Sequence, residues 1–217
     1  MIRWRAAFRL GLLCLLAVLG LSLIAEFSAP GIAAQQDAQR RAMLASVLGD
    51  ARQLDDPVSA PLQVQSTDLG SGIKQVWRAG RAQHIEALVL EASTEDGYNG
   101  RIDVLIGLRL PDATRPHSEV LAVRVIAHHE TPGLGDGIER ERSPWIDQFV
   151  GKSLRAPASA QWAVERDGGA FDTLAGATIS SRALIELTAR VLRFVDQHAD
   201  DLRDAEGGSR REYVDAE

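Results

Sequence analysis

Cysteine is almost missing from this 217-residue chain: Cys14 is the only one. An intrachain disulfide framework, a CxxC redox pair and a thiolate-held zinc or iron–sulfur site are therefore excluded, and any redox chemistry needs a cofactor held in another way. Positive charge is short too. Lys plus Arg number 24 against 30 Asp plus Glu, a net charge of -6, whereas a general nucleic-acid binder calls for a basic face. There is no internal repeat and no HExxH. His128, His129 and Glu130 do stand together, but adjacent histidines on a strand point to opposite faces, so no metal site is expected. The glycine-rich run that follows is not GxGxxG and does not open a long helix, which leaves a dinucleotide-binding crossover poorly supported.

What is present begins with a hydrophobic run. Arg3, Arg5 and Arg9 precede an uncharged stretch over 10–25, "LGLLCLLAVLGLSLIA". As a helix it covers roughly 24 Å, a little under the ~30 Å hydrocarbon core. Arg9 can snorkel and the residues after Glu26 are again uncharged, so a span over 10–27 is feasible. The basic side predicts a cytoplasmic segment 1–9, with the rest of the chain across the membrane. A cleaved signal peptide is the rival reading, although "GIAA" is a poor cleavage site.

Beyond the anchor, 35–56 reads as an amphipathic helix with Met43, Val47 and Leu54 on one stripe, ended by Pro57 and Pro61. Strand-like runs follow: "KQVWRAG", "HIEALVLEAS", "RIDVLIGLRL" and "EVLAVRVIAHHE". Turn signals separate them, and Tyr98-Asn99-Gly100 predicts a hairpin. A short aromatic helix is expected at "WIDQFVGK" and a further strand at "AQWAVERDGG". "SSRALIELTARVLRFVDQH" is the clearest helix, with Leu184, Leu187, Val191 and Phe194 in register. The charged tail over 200–217 reads as disordered. Strands followed by helices without regular alternation predict an α+β domain, with an antiparallel sheet and flanking helices. At 45% hydrophobic and 25% charged residues, the composition is that of one ordinary globular domain with appendages.

Two stretches carry chemistry. "FDTLAGATISSRAL" crowds an acid, a Gly and four hydroxyl residues before a helix. Asp172, Ser180 and Ser181 can serve as helix caps. Gly176 lets the backbone approach another group closely, and a hydroxyl at a helix start lies near free N–H donors, where a phosphate is best stabilised. Capping and anion binding both fit these residues. The second stretch is "HHETPGLGDGIE", which on pattern alone is a glycine-rich turn after a strand.

Asp172-Thr173-Leu174-Ala175-Gly176-Ala177-Thr178 resembles the flavinylation motif Asp-x-x-[Ser/Thr]-Gly-Ala-Thr of the covalent FMN-binding domain family. The sequence departs from that pattern at Ala175. Glu130-Thr131-Pro132-Gly133-Leu134-Gly135 resembles the "ETPGLG" loop of one branch of the same family. That branch is shared by one component of Rnf-type electron-transport complexes and one component of sodium-translocating NADH:quinone reductase. The likeness runs from the anchor to the helix ending near His198. It implies FMN joined by a phosphodiester to Thr178, put there by a dedicated flavin transferase. Asp172, Gly176, Ala177, Ser180 and Ser181 would surround the attachment. Glu130, Thr131, Gly133, Leu134 and Gly135 would lie against the flavin, with the glycines letting backbone amides approach the ring. It implies an FMN-binding domain over 62–199, on the periplasmic side of a bacterial inner membrane. The other subunits of a membrane complex would be its partners. The chain would relay electrons between ferredoxin and NAD chemistry carried out elsewhere in an ion-translocating complex, with no general acid, base or metal of its own. A flavin domain serving another membrane chain such as a quinone reductase, and a flavin-free assembly module, are the alternatives. Trp145, Phe149 and Trp162 are candidates for stacking near a flavin and Lys152 for meeting its phosphate. His84, His117 and His198 are expected to be solvated.

Overall fold

The computed structural model describes residues 8–9, 12, 14–15, 18, 41–48, 60–81 and 84–213. The chain forms two compact units, Met1–Met43 and Leu44–Glu217. In the first, the described residues are helical. The expected anchor over 10–27 falls almost wholly outside the described residues, as do 35–40 and 49–56 of the expected amphipathic helix. Among the described residues no helix is long and apolar enough to cross a membrane.

The second unit is built on a six-stranded sheet of order β5-β4-β3-β2-β1-β6. Its strands are β1 (Leu62–Gln65), β2 (Ile73–Arg81), β3 (His84–Gly97), β4 (Gly100–Arg109), β5 (Glu119–His128) and β6 (Arg210–Glu212). Every neighbouring pair is antiparallel except β1 and β6, which run parallel. The four strand-like runs of the sequence are β2 to β5, and Gly97 pairs with Gly100 across the expected hairpin tip. The α+β expectation therefore holds for this unit, with one parallel pair added to an otherwise antiparallel sheet.

Both faces of the sheet are covered, which explains why β3 and β4 read as nearly continuous apolar runs. Successive side chains point to opposite faces. Leu88 and Leu90 join the main core with Leu184, Leu187, Val191 and Val195 of the long helix, Thr178–Asp204. Val89 lies on the other face, in a second cluster with Trp77, Leu105, Leu44, Val47 and Leu48. Residues 44–48 form a helical turn laid on that face. Gly107 of β4 makes room for it, since a Cβ there would collide with the Val47 carbonyl oxygen. The buried stripe is Leu44, Val47 and Leu48 rather than the expected Met43, Val47 and Leu54. Met43 is exposed and Leu54 lies outside the described residues.

Three further expectations differ from the structure. The tail is ordered through residue 213: the long helix continues to Asp204 and β6 adds an edge strand to β1. Charged side chains on an exposed edge strand hide this from a composition reading. What fastens the tail is backbone pairing plus the Tyr213 ring, which packs on Phe194 and His198 with centroids 5.1 and 4.4 Å away. The helix end is also capped from the sheet, because Nη1 of the buried Arg78 donates to the carbonyls of Ala205 and Arg203. "AQWAVERDGG" is not a strand. It forms two single 3-10 turns, Ser159–Gln161 and Glu165–Asp167, and a lone bridge from Val164 to Phe171, since Gly168 at φ +84° turns the chain back. The aromatic helix is present as a 3-10 helix, Pro144–Phe149, capped by the Ser143 hydroxyl.

Candidate functional site

The two motifs converge at the start of the long helix. Its first residue is Thr178, which is half-buried, between buried Ala177 and exposed Ile179. The N-cap position is Ala177, and no side chain caps the helix. Ser181 N–H is the first amide to find a helical acceptor, the Ala177 carbonyl at 3.0 Å. The first turn thus keeps the orphan amides every helix start has, with no hydroxyl or carboxylate spent on them.

The residues that read as caps are used otherwise. Asp172 is held through its backbone: its N–H donates to Gln148 Oε1 (2.8 Å) and its carbonyl accepts from Trp145 Nε1 (2.8 Å). Its carboxylate is exposed and makes no hydrogen bond or ion pair among the described residues. Ser180 and Ser181 are fully buried. Ser181 Oγ donates to the Ala177 carbonyl (2.9 Å) and accepts from Leu174 N–H (3.0 Å), closing the Gly-Ala-Thr turn onto the helix. Gly176, at φ +82°, is needed for that turn and for a close contact: a Cβ there would meet Leu134 Cδ1 at 2.6 Å.

Leu134 brings in the second motif, and Ser180 fastens it. Ser180 Oγ donates to Glu130 Oε1 at 2.8 Å, a buried bond between residues 50 apart in sequence. The tip of the β3–β4 hairpin joins the same knot. Tyr98 N–H donates to Ser180 Oγ (3.3 Å), Asn99 N–H to Glu130 Oε1 (3.4 Å), and Asn99 Nδ2 to Thr131 Oγ1 (3.2 Å). The sequence announces a turn at Tyr98-Asn99 but carries no signal that this turn belongs to the site, because the contact is made only by strand pairing.

The loop itself is closed internally. Gly133 N–H donates to Asp136 Oδ1 (2.8 Å), and the amides of Leu134 and Gly135 both donate to the Thr131 carbonyl (3.1 and 2.9 Å). The amides expected to approach a ring are therefore engaged within the loop. What the loop turns outward is Thr131, Pro132 and the half-exposed Leu134, while Gly135 accommodates Glu130, whose Oε2 would lie 2.8 Å from a Cβ at that position. His128 anchors the base of the loop. Its Nδ1 accepts from Glu130 N–H (3.0 Å), so its proton is on Nε2, which donates to Glu139 Oε1 at 2.7 Å.

On the other side of the Asp172–Ala175 segment lies an open cleft of about 800 Å³, lined by Trp145, Gln148, Arg166, Asp172, Leu174 and Ala175 among others. Ala175 is exposed on its wall. Of the aromatic candidates, Trp145 borders this cleft, whereas Phe149 and Trp162 are core residues stacked on each other and packed against Phe171. Lys152 does not reach the site. Its carbonyl accepts from Val120 N–H at the start of β5, and Glu130 follows the other end of that strand, roughly 27 Å away by strand rise. His84 is exposed as expected, but His117 is bound by Asp196 (3.1 Å) and Arg155 (2.9 Å). His198 is packed against the rings of Phe194 and Tyr213, tilted to both.

The site thus offers a half-exposed hydroxyl at an uncapped helix start, two exposed apolar side chains, Leu134 and Ile179, and the buried carboxylate of Glu130. These residues fit an aromatic group that bears a phosphate: the orphan amides suit one negative charge and exposed apolar side chains such as Leu134 suit a flat apolar ring. Comparison with known proteins supports an FMN-binding domain. Residues 97–193 match the model of the FMN-binding domain family. The G subunit of the ion-translocating oxidoreductase complex of Pseudomonas aeruginosa is 39% identical over 202 residues, covering 91% of each chain. The same-named protein of Escherichia coli is 40% identical over 159 residues, 73% of this chain and 74% of that one. The Haemophilus influenzae counterpart is 46% identical over 119 residues, 55% of each.

Proposed function

The chain belongs to the family of G subunits of the ion-translocating oxidoreductase complexes, and on that premise we propose that it is the FMN-carrying electron-transfer component of an Rnf-type complex, with the flavin joined through its phosphate to Thr178. The observation that carries this reading is the convergence of two motifs on one helix start. Ser180 is bonded to Glu130 and Leu134 is packed over Gly176, around a half-exposed Thr178.

Bound FMN supplies the one- and two-electron chemistry, and the protein supplies position and shielding. The Thr178 hydroxyl is used once, in maturation. A phosphodiester requires an activated donor, so the co-substrate is a flavin nucleotide carried as a pyrophosphate. The bond from Thr178 Oγ1 to the flavin-bearing phosphorus forms as the pyrophosphate bond breaks. The nucleoside monophosphate departs with the electron pair, and the hydroxyl proton passes to a base of the flavin transferase. The linked phosphate keeps one negative charge, which the amides of Ile179, Ser180 and the helix dipole favour by about 0.3–1 kcal/mol. So small a gain would not retain FMN outside the cytoplasm, whereas a covalent bond does. Membrane attachment rests on residues 10–27, with the second unit on the periplasmic side and the other subunits of the complex as electron partners.

The test is direct. The protein is co-expressed with a flavin transferase and run on a denaturing gel under ultraviolet light. Fluorescence in the wild-type band that disappears in Thr178→Val is the expected result, and a dark wild-type band refutes the reading.

A further inference from the structure

Glu130 stands out within this site because its carboxylate is inward-facing and only 6% exposed, with no ion-pair partner among the described residues. A buried carboxyl group is costly unless hydrogen bonds compensate it. Here the compensation comes from two other chain segments at once, the long helix and the hairpin tip. Ser180, in the first turn of the long helix, donates its hydroxyl at 2.8 Å, and Asn99 of the hairpin tip donates its amide at 3.4 Å. Two glycines clear the space: a Cβ at Gly97 would lie 2.9 Å from Oε1 and one at Gly135 2.8 Å from Oε2. Tyr98 N–H, bonded to the same Ser180 hydroxyl, completes the knot.

We propose that Glu130 is a positioning residue for the attachment step rather than a group that touches the flavin. By binding Ser180 it locks the first helical turn against the loop and the hairpin, which fixes the direction of Thr178 Oγ1 and of the neighbouring amides towards an incoming phosphoryl group. Ser180 is two residues beyond Thr178, so rotation of the first turn about the helix axis carries both. The loop bond at Ser180 therefore sets the angle at which Thr178 is presented. A helix start without a side-chain cap frays readily, and the Glu130–Ser180 bond is a side-chain bond that ties the second residue after Thr178 to another element. This inference rests on Thr178 being the attachment residue.

The experiment uses full-length, flavin-free protein, a purified flavin transferase and a flavin dinucleotide donor. Initial rates of flavin incorporation are followed by in-gel fluorescence as acceptor concentration varies, well below each variant's melting temperature. Glu130→Ala and Ser180→Ala are expected to lower kcat by about tenfold, the equivalent of one hydrogen bond to a charged group, with KM for the acceptor within about twofold. Glu130→Gln keeps an acceptor oxygen for Ser180 and is expected to recover kcat to within about threefold of wild type. A structural effect alone would lower the melting temperature and leave kcat of the folded protein unchanged. Wild-type kcat in both alanine variants overturns the proposal, as does Glu130→Gln behaving like Glu130→Ala. Should Glu130→Ala fail to unfold cooperatively, the smaller Ser180→Ala change decides the matter alone. A dark wild-type protein overturns the flavin reading together with this one, while a bright wild type with unaffected variants overturns only this one.

Discussion

Gly176 is the position where one methyl group tests the geometry of the site most sharply. Alanine there faces two costs that can be separated. The backbone sits at φ +82°, in the left-handed region, which costs an L-residue about 1–2 kcal/mol. The added Cβ would also meet Leu134 Cδ1 at 2.6 Å and Cγ at 3.1 Å. Leu134 is 52% exposed, so its side chain can swing aside for about 1 kcal/mol or less. The backbone term therefore dominates, and Gly176→Ala is expected to lose about 2 kcal/mol, a fall in Tm of about 4–8 °C for a domain of this size. Thermal unfolding of flavin-free Gly176→Ala, Leu134→Ala and the double variant separates the two terms. Removing the Leu134 side chain in the double variant should recover no more than about 1 kcal/mol. Full recovery would show that the contact, not the positive φ, carries the cost. An unchanged Tm in the single variant would refute the turn geometry altogether.

Two further predictions concern the far end of the long helix. Arg78→Met removes the donor that serves the carbonyls of Ala205 and Arg203 at a buried helix end. It is expected to lower stability by about 2–3 kcal/mol, seen as a lower urea midpoint at constant m, with Arg78→Lys recovering less than half because one ammonium replaces a fork of donors. Burial first, and then the hydrogen bond to Asp201, hold the Tyr213 hydroxyl pKa above its usual value of 10.0. A raised folded-state pKa gives stability that is complete below pH 10 and declines above it, because the unfolded chain ionises first. The stability difference between wild type and Tyr213→Phe should therefore be flat from pH 7 to about pH 9 and shrink above pH 10; a difference that grows above pH 10 contradicts this environment for Tyr213.

Much of this architecture was legible in the sequence, and the limits have physical causes. Strands β2 to β5 announce themselves through apolar runs bounded by turn residues, and the Asn-Gly pair at the β3–β4 tip names its own hairpin. Strand β1, "LQVQ", is too short to stand out, and β6, "RRE", has no apolar residue at all; both exist because a neighbour supplies the pairing. At the candidate site, the two motifs single out Thr178 and Leu134, but spacing says nothing about what a serine before an apolar helix bonds to. Ser180 and Ser181 look like caps, yet both lie inside the helix, one turned to Glu130 and the other to Ala177. Asp172 likewise contributes its backbone rather than its carboxylate. The roles of Asn99 and Tyr98 depend wholly on a register that only the folded sheet defines.

Strand β4 acts as a ruler. One end, at Gly100, forms the hairpin tip that binds the Glu130–Ser180 knot; near the other, Gly107 receives the helical turn at Val47, where the chain first joins the second unit. Seven residues of strand set these two points roughly 23 Å apart. The β3–β4 register runs unbroken from Leu88↔Leu108 to Thr94↔Ile102 and shifts only next to the hairpin tip, between Thr94 and Gly97, while two further irregularities lie between β4 and β5. A one-residue change in β4 would turn Gly107 away from Val47 and invert both packed faces. The separation between the Val47 contact and the Glu130–Ser180 knot can therefore change only in steps of two residues, about 7 Å each, unless a further bulge absorbs the odd residue.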